Sequence, residues 1–487
     1  MVSSVASRPE SSHIPRAPAP GTNVFLSITH GFQARNLLQT DVLPLLVGAG
    51  YKVTIVSPAS GRPEFQRTFK QPGVEFAQLE ARPGRLAGFF GNVRRYALAN
   101  PRRNATYNLF NEEFLRSRKP LYMILRALNR SLGRHRFLRE GWMVLEEMLI
   151  PGRSVERIFH PARPSLLVTG TPGTDYLDVL LLRAARRLGI PTLCVVLSWD
   201  NLTSKGHMAV RPDRLVVWNE RMRGEAVELH DYSPDAVEVA GVAHFDVYAR
   251  PESLLSRLAV CRRLGLDPKR KILVFGTVSP LVFRYNHEIA EILARAIAEG
   301  RIQPEAQLVV RLHPQSVAGP YADNLQVFRD LQARFPGVVA LDLPDVTDSG
   351  LQWALPDDEM VWLASLLKHS DVCLTVGSTL AIDAALTGTP IVAIAFDGHR
   401  ELPYHQSVRR TYDYTHYEPV VRTGGTPLAE SEEELVALTN RYLADRERDQ
   451  AGRARIVLEQ AWCVDGRSGE RVAAAIARSA QPRVALR

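Results

Sequence analysis

Cysteine is scarce in this chain, and its four cysteines, Cys194, Cys261, Cys373 and Cys463, lie far apart in the sequence. None forms a Cys-x-x-Cys pair or stands at metal-ligand spacing from a histidine, which argues against a structural zinc site and against a disulfide-built secreted protein. The longest apolar stretch, Val372 to Phe396, is interrupted by glycine, proline and aspartate, so it lacks the ~20 apolar residues of a membrane-spanning helix. Residues 1–21 have no apolar signal-peptide core. They predict a disordered tail on a chain that works in the cytoplasm.

Several cofactor and nucleotide signatures are also missing. The sequence has no Gly-x-x-x-x-Gly-Lys-Ser/Thr loop and no Gly-x-Gly-x-x-Gly fingerprint, which argues against an NTPase and against a dehydrogenase. It has no Asp-x-Asp motif followed by acidic ligands at a strand end. We therefore expect neither an essential metal ion nor a bound cofactor.

Positive charge is present in excess, with a formal net charge of +8, but the excess is local. Between Arg82 and Arg139 there are fourteen lysines and arginines and two acids. One basic segment does not indicate a nucleic-acid-binding protein. Residues 82–150 are helical in composition, with aromatics among the arginines, and predict a basic helical insertion. Two interpretations stay open: contact with anionic lipid headgroups or a phosphate-bearing acceptor, and a solvated charged face over an apolar stripe.

Short apolar runs alternate with helical stretches from Val24 to Gly241 and again from Arg270 to Asp397. Continuous apolar strands between helices are typical of a parallel sheet covered on both faces. The sequence predicts an α/β fold of two Rossmann-like doubly wound domains that face one cleft. The predicted divisions are the tail (1–21), an N-terminal acceptor-side domain (22–250) with the insertion 82–150, a linker (251–270), a C-terminal domain (271–463) and a last helical segment (464–487).

The segment Asp371–Pro390 carries the strongest local signal. An apolar strand ends at Gly377, Ser378 and Thr379 follow, and a helix then begins. Amide groups at such a helix start bind phosphate oxygens. Asp383 lies one turn into that helix, where a carboxylate can accept hydrogen bonds from a ribose. The alternative is a capped helix with an exposed Asp383.

Two other strand ends of the second half carry polar residues. Arg311 and His313 stand in the sequence "VVRLHP", where an arginine or a protonated histidine would neutralise a pyrophosphate leaving group without a metal. Thr277 and Ser279 stand in "FGTVSP" and are candidate donors to the same phosphates. The alternative for His313 is a histidine satisfied by the backbone at a strand end.

Candidate acceptor-side residues follow strands of the first half. In "SITHGFQARN", His30 is a candidate base and Arg35 a candidate substrate ligand. In "SWDNLTSKG", Asp200 is a candidate base, because a carboxylate near an acceptor hydroxyl can take its proton. Its neighbours Trp199, Asn201 and Lys205 are candidate substrate ligands. An Asp–Asn turn that caps the next helix is the alternative. Past the last strong strand, Asp397, His399 and Arg400 are candidates to hold the transferred group.

The acid of Asp383, followed by Gly388 and Pro390, resembles the donor-binding helix of GT-B fold glycosyltransferases. The sequence "VVRLHP" (Val309–Pro314), which contains Arg-x-His-Pro, and the segment Asp465–Val472 are similar to motifs of bacterial CDP-glycerol glycerophosphotransferases and surface-polysaccharide transferases. Trp199 and Lys205 keep the spacing of a Trp-His-Gly-Thr-Pro-x-Lys segment of those enzymes, although an aspartate replaces the histidine. The resemblance implies a GT-B fold, a nucleotide donor bound by the C-terminal domain, and a last helix that crosses back to the N-terminal domain.

The predicted function is transfer of a sugar from a nucleotide-activated (or CDP-activated) donor to a glycan or lipid-linked acceptor, in surface polysaccharide or glycolipid synthesis. We expect it in the cytoplasm or peripherally at the inner face of the membrane, with no nucleic-acid partner. One alternative is a CDP-glycerol-type glycerophosphotransferase. Another is a UDP-sugar 2-epimerase, although the Ser-Gly-Gly-x-x-Glu-Glu type motif of those enzymes is absent at Gly377–Asp383. A non-enzymatic polyanion-binding protein is the third, and its binding would depend steeply on salt.

Overall fold

The computed structural model describes residues 13–99, 104–116, 120–318, 321–322, 324–346, 350–351 and 354–482. Within them, thirteen strands form two parallel sheets. The first sheet consists of β1 (Asn23–Ser27), β2 (Lys52–Ser57), β3 (Val74–Gln78), β4 (Leu166–Thr169), β5 (Thr192–Val195), β6 (Arg214–Val217) and β7 (Val237–Val239). The second consists of β8 (Lys271–Gly276), β9 (Ala306–Arg311), β10 (Val339–Asp342), β11 (Val372–Thr375), β12 (Ile391–Ile394) and β13 (Leu428–Ala429).

The strand order is β3-β2-β1-β4-β5-β6-β7 in the first sheet and β10-β9-β8-β11-β12-β13 in the second. Each order reverses once, beside β1 and beside β8, as in a doubly wound sheet. Ligands of such sheets bind at the carboxyl ends of the strands next to this reversal. The prediction of two Rossmann-like α/β domains is confirmed.

Helices cover both faces of each sheet. Those of the first domain are α1 (Gly31–Leu37), α2 (Val42–Gly48), α3 (Pro63–Phe69), α4 (Arg85–Val93), α5 (Ala105–Arg116), α6 (Pro120–Leu132), α7 (Arg136–Leu149), α8 (Tyr176–Arg187), α9 (Asn201–Ser204) and α10 (Glu220–His230). The others are α11 (Arg257–Leu264), α12 (Asn286–Ala298), α13 (Asn324–Arg334), α14 (Glu359–His369), α15 (Leu380–Leu386), α16 (Glu418–Arg422), α17 (Glu432–Ala444), α18 (Gln450–Ile456) and α19 (Ser468–Ala480). None of these described helices is long and apolar enough to cross a membrane.

Alternation along a strand sends neighbouring side chains to opposite faces of the sheet. In β1, Val24 and Leu26 join the buried cluster under α1, α2 and α19, whereas Phe25 joins the cluster under α8. Apolar residues at every position of the strand therefore follow from burial on both faces.

The predicted disordered tail is corrected at its C-terminal end. Ile14 and Ala17 pack against the cluster under α1 and α2, and the Ala17 amide donates a 3.0 Å hydrogen bond to the Ala49 carbonyl. This part of the chain is held because the first sheet leaves an apolar surface beside Tyr51. Residues 1–12 lie outside the described residues.

The insertion lies between β3 and β4 and consists of α4, the π-helical turn Arg94–Leu98, α5, α6 and α7. It has a small apolar core of its own, built from Val93, Tyr96, Ala97, Leu98 and Leu125. Residues 100–103, and with them Arg102 and Arg103 of the basic segment, lie outside the described residues.

Helix α19 belongs to the end of the chain but packs on the first domain. Val472, Ile476 and other residues of α19 share a cluster with β1 and β2. The carboxylate of Asp246 accepts hydrogen bonds from the amides of Ser468 (2.9 Å) and Gly469 (2.8 Å) at the start of this helix. The chain thus crosses between the domains a second time, which sets the carboxyl ends of the two sheets against each other.

Candidate functional site

A cavity of about 690 Å³ separates the carboxyl ends of the two sheets. We call it the interdomain cleft. Its walls are the segments that follow β1, β4 and β5 in the first domain and β8, β9 and β11 in the second. It brings together these predicted site residues: His30, Arg35, Asp200, Asn201, Lys205, Thr277, Ser279, Arg311, His313, Gly377, Ser378, Thr379 and Asp383.

Two glycines shape the second-domain wall by allowing close approach. A Cβ atom on Gly276, at the end of β8, would lie 2.0 Å from Leu380 Cδ2. A Cβ atom on Gly377, after β11, would lie 2.4 Å from Thr411 Oγ1. The start of α15 is therefore pressed against the end of β8. The Ser378 hydroxyl is used locally, because it accepts a 3.2 Å hydrogen bond from the Leu380 amide.

Asp383 is buried on this wall, and its carboxylate is held from the first-domain side. The Tyr248 hydroxyl donates a 2.6 Å hydrogen bond to Asp383 Oδ1. Burial raises the pKa of Asp383 to about 6, although this hydrogen bond and the nearby Arg35 and Arg311 guanidiniums oppose the rise. The carboxylate is mostly ionised at neutral pH and becomes protonated in mild acid.

The predicted role of Arg311 as a free phosphate ligand is corrected. Its guanidinium forms buried ion pairs with the carboxylates of Asp342 and Glu359. Burial lowers the pKa of Arg311, but the two carboxylates outweigh burial and raise it overall. Because two acids already surround this cation, it has no net positive charge to offer a diphosphate. Arg311 lines the cleft as part of a structural ion-pair cluster.

His313 lies at the same strand end, and its predicted protonated state is also corrected. Burial lowers the pKa of His313 to about 4, so the ring is neutral at pH 7. Its Nδ1 atom accepts a 3.2 Å hydrogen bond from the Gln315 amide, which places the ring proton on Nε2. The backbone amide of His313 donates to Thr277 Oγ1 at 2.8 Å. Neutral His313 is therefore a hydrogen-bond donor and not a cation.

Ser279 contacts the same turn, at residues 313–315, through its side chain. Its hydroxyl donates a hydrogen bond to the Gln315 side-chain oxygen. The two predicted phosphate donors, Thr277 and Ser279, thus hold the loop after β9 in place. Their hydroxyls contact residues 313–315, so their described contacts position His313.

On the first-domain wall, His30 faces a carboxylate. The distance from His30 Nε2 to Asp175 Oδ2 is 3.9 Å, and Nδ1 lies 2.9 Å from Thr29 Oγ1. Asp175 also begins α8, where it accepts a 3.0 Å hydrogen bond from the Leu177 amide. An imidazole that faces a fixed carboxylate is the arrangement of a base and its orienting group.

A buried carboxylate supports the loop that carries His30. Asp178 accepts hydrogen bonds from Ser27 Oγ (2.6 Å), Gln33 Nε2 (3.0 Å), and the Thr171 amide (3.0 Å) and hydroxyl (2.6 Å). Burial raises the pKa of Asp178 to about 7, with a smaller contribution from the charge of Asp175. The network joins the ends of β1 and β4, so it fixes the position of His30 relative to Asp175.

Asp200 lies on the same wall in a cationic setting. Ser204 Oγ donates a 2.6 Å hydrogen bond to Asp200 Oδ2, and Lys205 Nζ lies 3.3 Å from the same oxygen. Burial alone would raise the pKa of Asp200, but the charges of Lys205 and His416, together with hydrogen bonds from Ser204 and Ser198, outweigh burial and hold the pKa below its usual range. Asp200 is therefore a permanent carboxylate at neutral pH and a weak base.

Two cations of the first-domain wall have no ion pair or hydrogen bond from the side chain to another described residue. They are Arg35, whose guanidinium lies 5.2 Å from the centre of the Phe32 ring, and Arg95 of the π-helical turn. Burial lowers the pKa of Arg35, and the charge of Asp383 partly offsets this. In the described part of the chain, no group of three or more His, Cys, Asp or Glu side chains is arranged to hold a metal ion.

Four predicted substrate ligands lie outside the lining of the cleft. Trp199 is buried between the rings of His416 and Tyr417, at centroid distances of 5.3 and 5.4 Å. Trp199 faces inward because it belongs to a buried hydrophobic cluster that also contains Tyr417. Its assignment as a substrate ligand is wrong.

The other three predicted ligands, Asp397, His399 and Arg400, lie in the loop that follows β12. Asp397 Oδ1 accepts a 2.8 Å hydrogen bond from the Val408 amide, and Arg400 pairs with Glu288 at 2.8 Å. The His399 amide donates to the same glutamate at 3.0 Å. These contacts engage the carboxylate of Asp397 and the guanidinium of Arg400, whose assignment to the transferred group is corrected to a structural role. His399 contributes only its backbone amide, and it does not line the cleft.

Sequence reasoning missed two residues that line the cleft, Asp175 and Arg95, and one that supports it, Tyr248. Asp175 ends the turn "TGTPGTD" after β4, and that glycine-containing turn after an apolar strand was a usable signal. Arg95 was counted within the basic segment, but nothing in the sequence separates it from its neighbours. Tyr248 lies in the helical turn Ala243–Ala249 and carries no local signal of its contact with Asp383, 135 residues away.

No protein-family model matches the chain, and no curated protein matches it in sequence. Solved structures match it over nearly its whole length. A UDP-GlcNAc 2-epimerase from Neisseria meningitidis bound to UDP-GlcNAc is 12% identical, with 94% of this chain and 100% of that chain covered and a TM-score of 0.53. A glycosyltransferase from Rickettsia africae is 9% identical, with 94% and 98% covered and a TM-score of 0.50. The wall teichoic acid polymerase TagF is 10% identical, with 95% and 89% covered and a TM-score of 0.51. These proteins share two facing Rossmann-like domains, and the resemblance seen in the sequence is confirmed at the level of the fold. The chain has the GT-B fold.

Proposed function

We propose that the protein is a metal-independent glycosyltransferase, which moves a sugar from a nucleotide-activated donor to the hydroxyl group of a glycan or lipid-linked acceptor. The observation that carries this proposal is the different chemistry of the two cleft walls. The second-domain wall has a fixed carboxylate, Asp383, beside a neutral hydrogen-bond donor, His313. The first-domain wall has a histidine–carboxylate pair and the cations Arg35 and Arg95.

On this proposal the donor nucleotide occupies the second-domain wall. Asp383 accepts hydrogen bonds from the ribose hydroxyls, for which its ionised form is required. His313 donates from Nε2 to a phosphate oxygen, and Ser378 and Thr379 flank the diphosphate at the start of α15. Arg35 lies near Asp383 and supplies the unpaired positive charge that Arg311 lacks. Charge-assisted hydrogen bonds from arginine suit phosphate oxygens well.

The transfer step uses the first-domain wall. A base takes the proton of the acceptor hydroxyl, its oxygen forms a bond to the anomeric carbon, and the bond from that carbon to the phosphate oxygen breaks. The electron pair of that bond leaves with the nucleoside diphosphate. We favour His30 as the base, because its ring lines the cleft and faces the fixed carboxylate of Asp175 at 3.9 Å. Asp200, whose pKa is depressed by Lys205, is the weaker base and orients Lys205 and Asn201 toward the acceptor.

The finer parts of the proposal concern the acceptor and the place of action. We propose synthesis of a surface polysaccharide or glycolipid in the cytoplasm, at the inner face of the membrane. Support comes from the insertion, which provides Arg95 to the cleft and carries the basic segment. A CDP-glycerol-type transfer would use the same walls, with the glycerol phosphate in place of the sugar.

The test is a thermal-shift screen of the full chain against UDP-, GDP-, dTDP- and CDP-linked donors. A donor at 100 times its dissociation constant adds about 2.7 kcal/mol to the free energy of unfolding. We expect one nucleotide class to stabilise the wild type, and Asp383→Asn to lose most of that shift. Arg400→Gln is the matched control, since its charge lies outside the cleft lining. If no nucleotide-linked donor shifts the wild type, the proposal fails.

A 2-epimerase is the second candidate, because UDP-GlcNAc 2-epimerases recur among the similar structures. The two activities differ in their products. A 2-epimerase interconverts two sugars that differ at C2 without any acceptor, whereas a transferase consumes the donor in proportion to the acceptor. Incubation with a stabilising donor, followed by analysis of the sugar configuration at C2, separates them.

A further inference from the structure

Helix α7 of the insertion exposes a stripe of large apolar side chains and buries two charged ones. Its outward side chains include Phe137, which is 68% exposed, and Met148, which is 74% exposed, with Val144, Leu145 and Leu149 between and beside them. Positions 137, 144, 145 and 148 follow the helical repeat and form one stripe. The buried residues of the same helix are Arg139, Met143 and Glu146. Two charged side chains, Arg139 and Glu146, thus point inward, while five large apolar side chains of the same helix point to solvent.

This orientation is fixed by ion pairs on the inner face. Glu146 pairs with Arg94 and, at 3.2 Å, with Arg183 of α8. Arg139 pairs with Asp231 at 2.7 Å. Rotation of α7 to bury its apolar stripe would break these ion pairs. Some of the charged groups would then stay buried without a partner, which is strongly unfavourable. The apolar stripe is therefore left uncovered by the residues that the structure describes.

Helices α4 and α6 of the same insertion also expose large apolar side chains. The Phe89 ring of α4 lies 6.4 Å from the Trp142 ring of α7, and Leu86 precedes it by one turn. Met123, Ile124 and Leu128 are exposed on α6. Of the eighteen large hydrophobic residues exposed in the described part of the chain, ten lie on these three helices. Such a concentration marks an interaction surface and not scattered surface residues.

The charges around this surface indicate its partner. Arg82, Arg85, Arg126 and Arg134 are exposed or half-exposed and form no ion pair with a described residue. The acids of the three helices are Glu140, Glu146 and Glu147, and each is paired with an arginine. The surface thus combines apolar side chains with uncompensated positive charge. A second copy of the chain would place the same arginines opposite each other, whereas an anionic lipid surface complements them.

We propose that α4, α6 and α7 insert their exposed apolar side chains into the interfacial region of an anionic bilayer, with the four arginines at the lipid headgroups. We call this face the lipid-facing surface. The proposal deepens the proposed function, since it gives the surface through which the enzyme would meet a lipid-linked acceptor. It also differs from attachment by charge alone, because apolar insertion retains part of the binding at high salt.

The experiment is flotation of the full-length chain with two kinds of vesicle, phosphatidylcholine alone and phosphatidylcholine mixed with phosphatidylglycerol. We expect binding to the mixed vesicles only, weakened but not abolished by high salt. Phe137→Glu and Met148→Glu should each lower the partition coefficient about tenfold or more, because each replaces an inserted apolar side chain by a carboxylate. Leu458→Glu, at an exposed leucine of the second domain, is the matched control and should leave partition unchanged.

Two results would overturn the proposal. One is failure of the wild type to float with the mixed vesicles at low salt. The other is unchanged flotation of both glutamate variants, which would place binding elsewhere. A concentration-dependent dimer that Met148→Glu dissolves, without vesicle binding, would assign the surface to a second copy. Donor-induced thermal shifts of the same variants are measured in parallel without vesicles, so failure of lipid binding and failure of donor binding remain distinguishable.

Discussion

The Tyr248 hydroxyl donates a 2.6 Å hydrogen bond to the carboxylate of Asp383. Tyr248 lies in the segment that follows the first sheet, and Asp383 lies on helix α15 of the second-domain wall. The two residues lie 135 positions apart, and their hydrogen bond joins the segment after the first sheet to the second-domain wall of the cleft. The bond uses one oxygen of the carboxylate on which the proposed ribose contact depends. Tyr248 therefore orients Asp383 and lowers its pKa, and burial acts in the opposite direction.

Tyr248→Phe removes this bond and leaves a buried carboxylate oxygen without its donor. We expect a loss of about 1–3 kcal/mol in the free energy of unfolding and weaker donor binding. Chemical denaturation and donor titration measure the two effects. Tyr176→Phe is the matched control, because no hydrogen bond joins its hydroxyl to another described residue. Unchanged stability in Tyr248→Phe would contradict the contact.

The raised pKa of Asp383 gives a pH dependence of donor binding. With the folded-state pKa at about 6 and the unfolded value near 3.9, ionising the buried carboxyl is costly. The Asp383 carboxyl group therefore contributes most to the free energy of unfolding in acid, and this contribution is lost as the pH rises from about 4 to 6. Ribose binding needs the ionised form, so donor affinity should fall about tenfold for each pH unit below 6. Calorimetric titration should show this fall in the wild type, and Asp383→Asn should bind weakly with no such dependence. A flat wild-type profile would remove Asp383 from the donor site.

His313 is neutral in the free protein, and a bound diphosphate should change that. Negative charge near the imidazole favours its protonated form, so the pKa of His313 should rise from about 4 when a nucleoside diphosphate binds. NMR titration of the ring proton signal measures this directly. His313→Gln keeps an amide donor and should retain most of the affinity, whereas His313→Ala should lose about tenfold. Equal affinities in all three proteins would show that the ring does not touch the diphosphate.

Arg311 should matter for stability more than for binding. Arg311→Met leaves the buried carboxylates of Asp342 and Glu359 without their cation, which costs about 3–5 kcal/mol. Denaturant unfolding measures the loss. The double change Asp342→Asn with Arg311→Met should recover part of it, because only one uncompensated carboxylate then remains. If the single variant is as stable as the wild type, the ion-pair cluster is not structural.

The choice of base separates His30 from Asp200. His30→Gln should lower kcat by about 100-fold or more and leave donor binding unchanged, because a general base contributes about 10²–10⁴-fold to the rate. Asp200→Asn should act mainly on KM for the acceptor through Lys205. Steady-state kinetics of both variants tests the assignment. The reverse pattern, with kcat lost in Asp200→Asn alone, would make Asp200 the base.

The fold was predictable because its signal is repeated along the chain. Every buried strand is a short apolar run, and doubly wound sheets bury such strands on both faces. Turn residues such as Gly377 and Pro314 marked where the strands end. These local patterns also placed thirteen of seventeen candidate residues on the cleft, since carboxyl ends of parallel strands meet at one edge.

The state of each side chain was less predictable, because it depends on partners that are distant in sequence. Arg311 and His313 are two positions apart, yet only Arg311 is paired with carboxylates. Its partners are Asp342 of the adjacent strand β10 and Glu359 of α14. That pairing follows only when the strand order is known. Trp199 and Asp397 were misassigned for the same reason, since nothing local tells an inward side chain from one that lines the cleft.

Arg94 and Arg95 are consecutive but have different surroundings. The first is tied to Glu146 of α7, and the second lines the interdomain cleft. Any movement of α7 against the body of the protein must therefore pull on the backbone that carries Arg95. The position of α7 and the position of the Arg95 cation in the cleft are therefore both determined by the same two consecutive residues, Arg94 and Arg95.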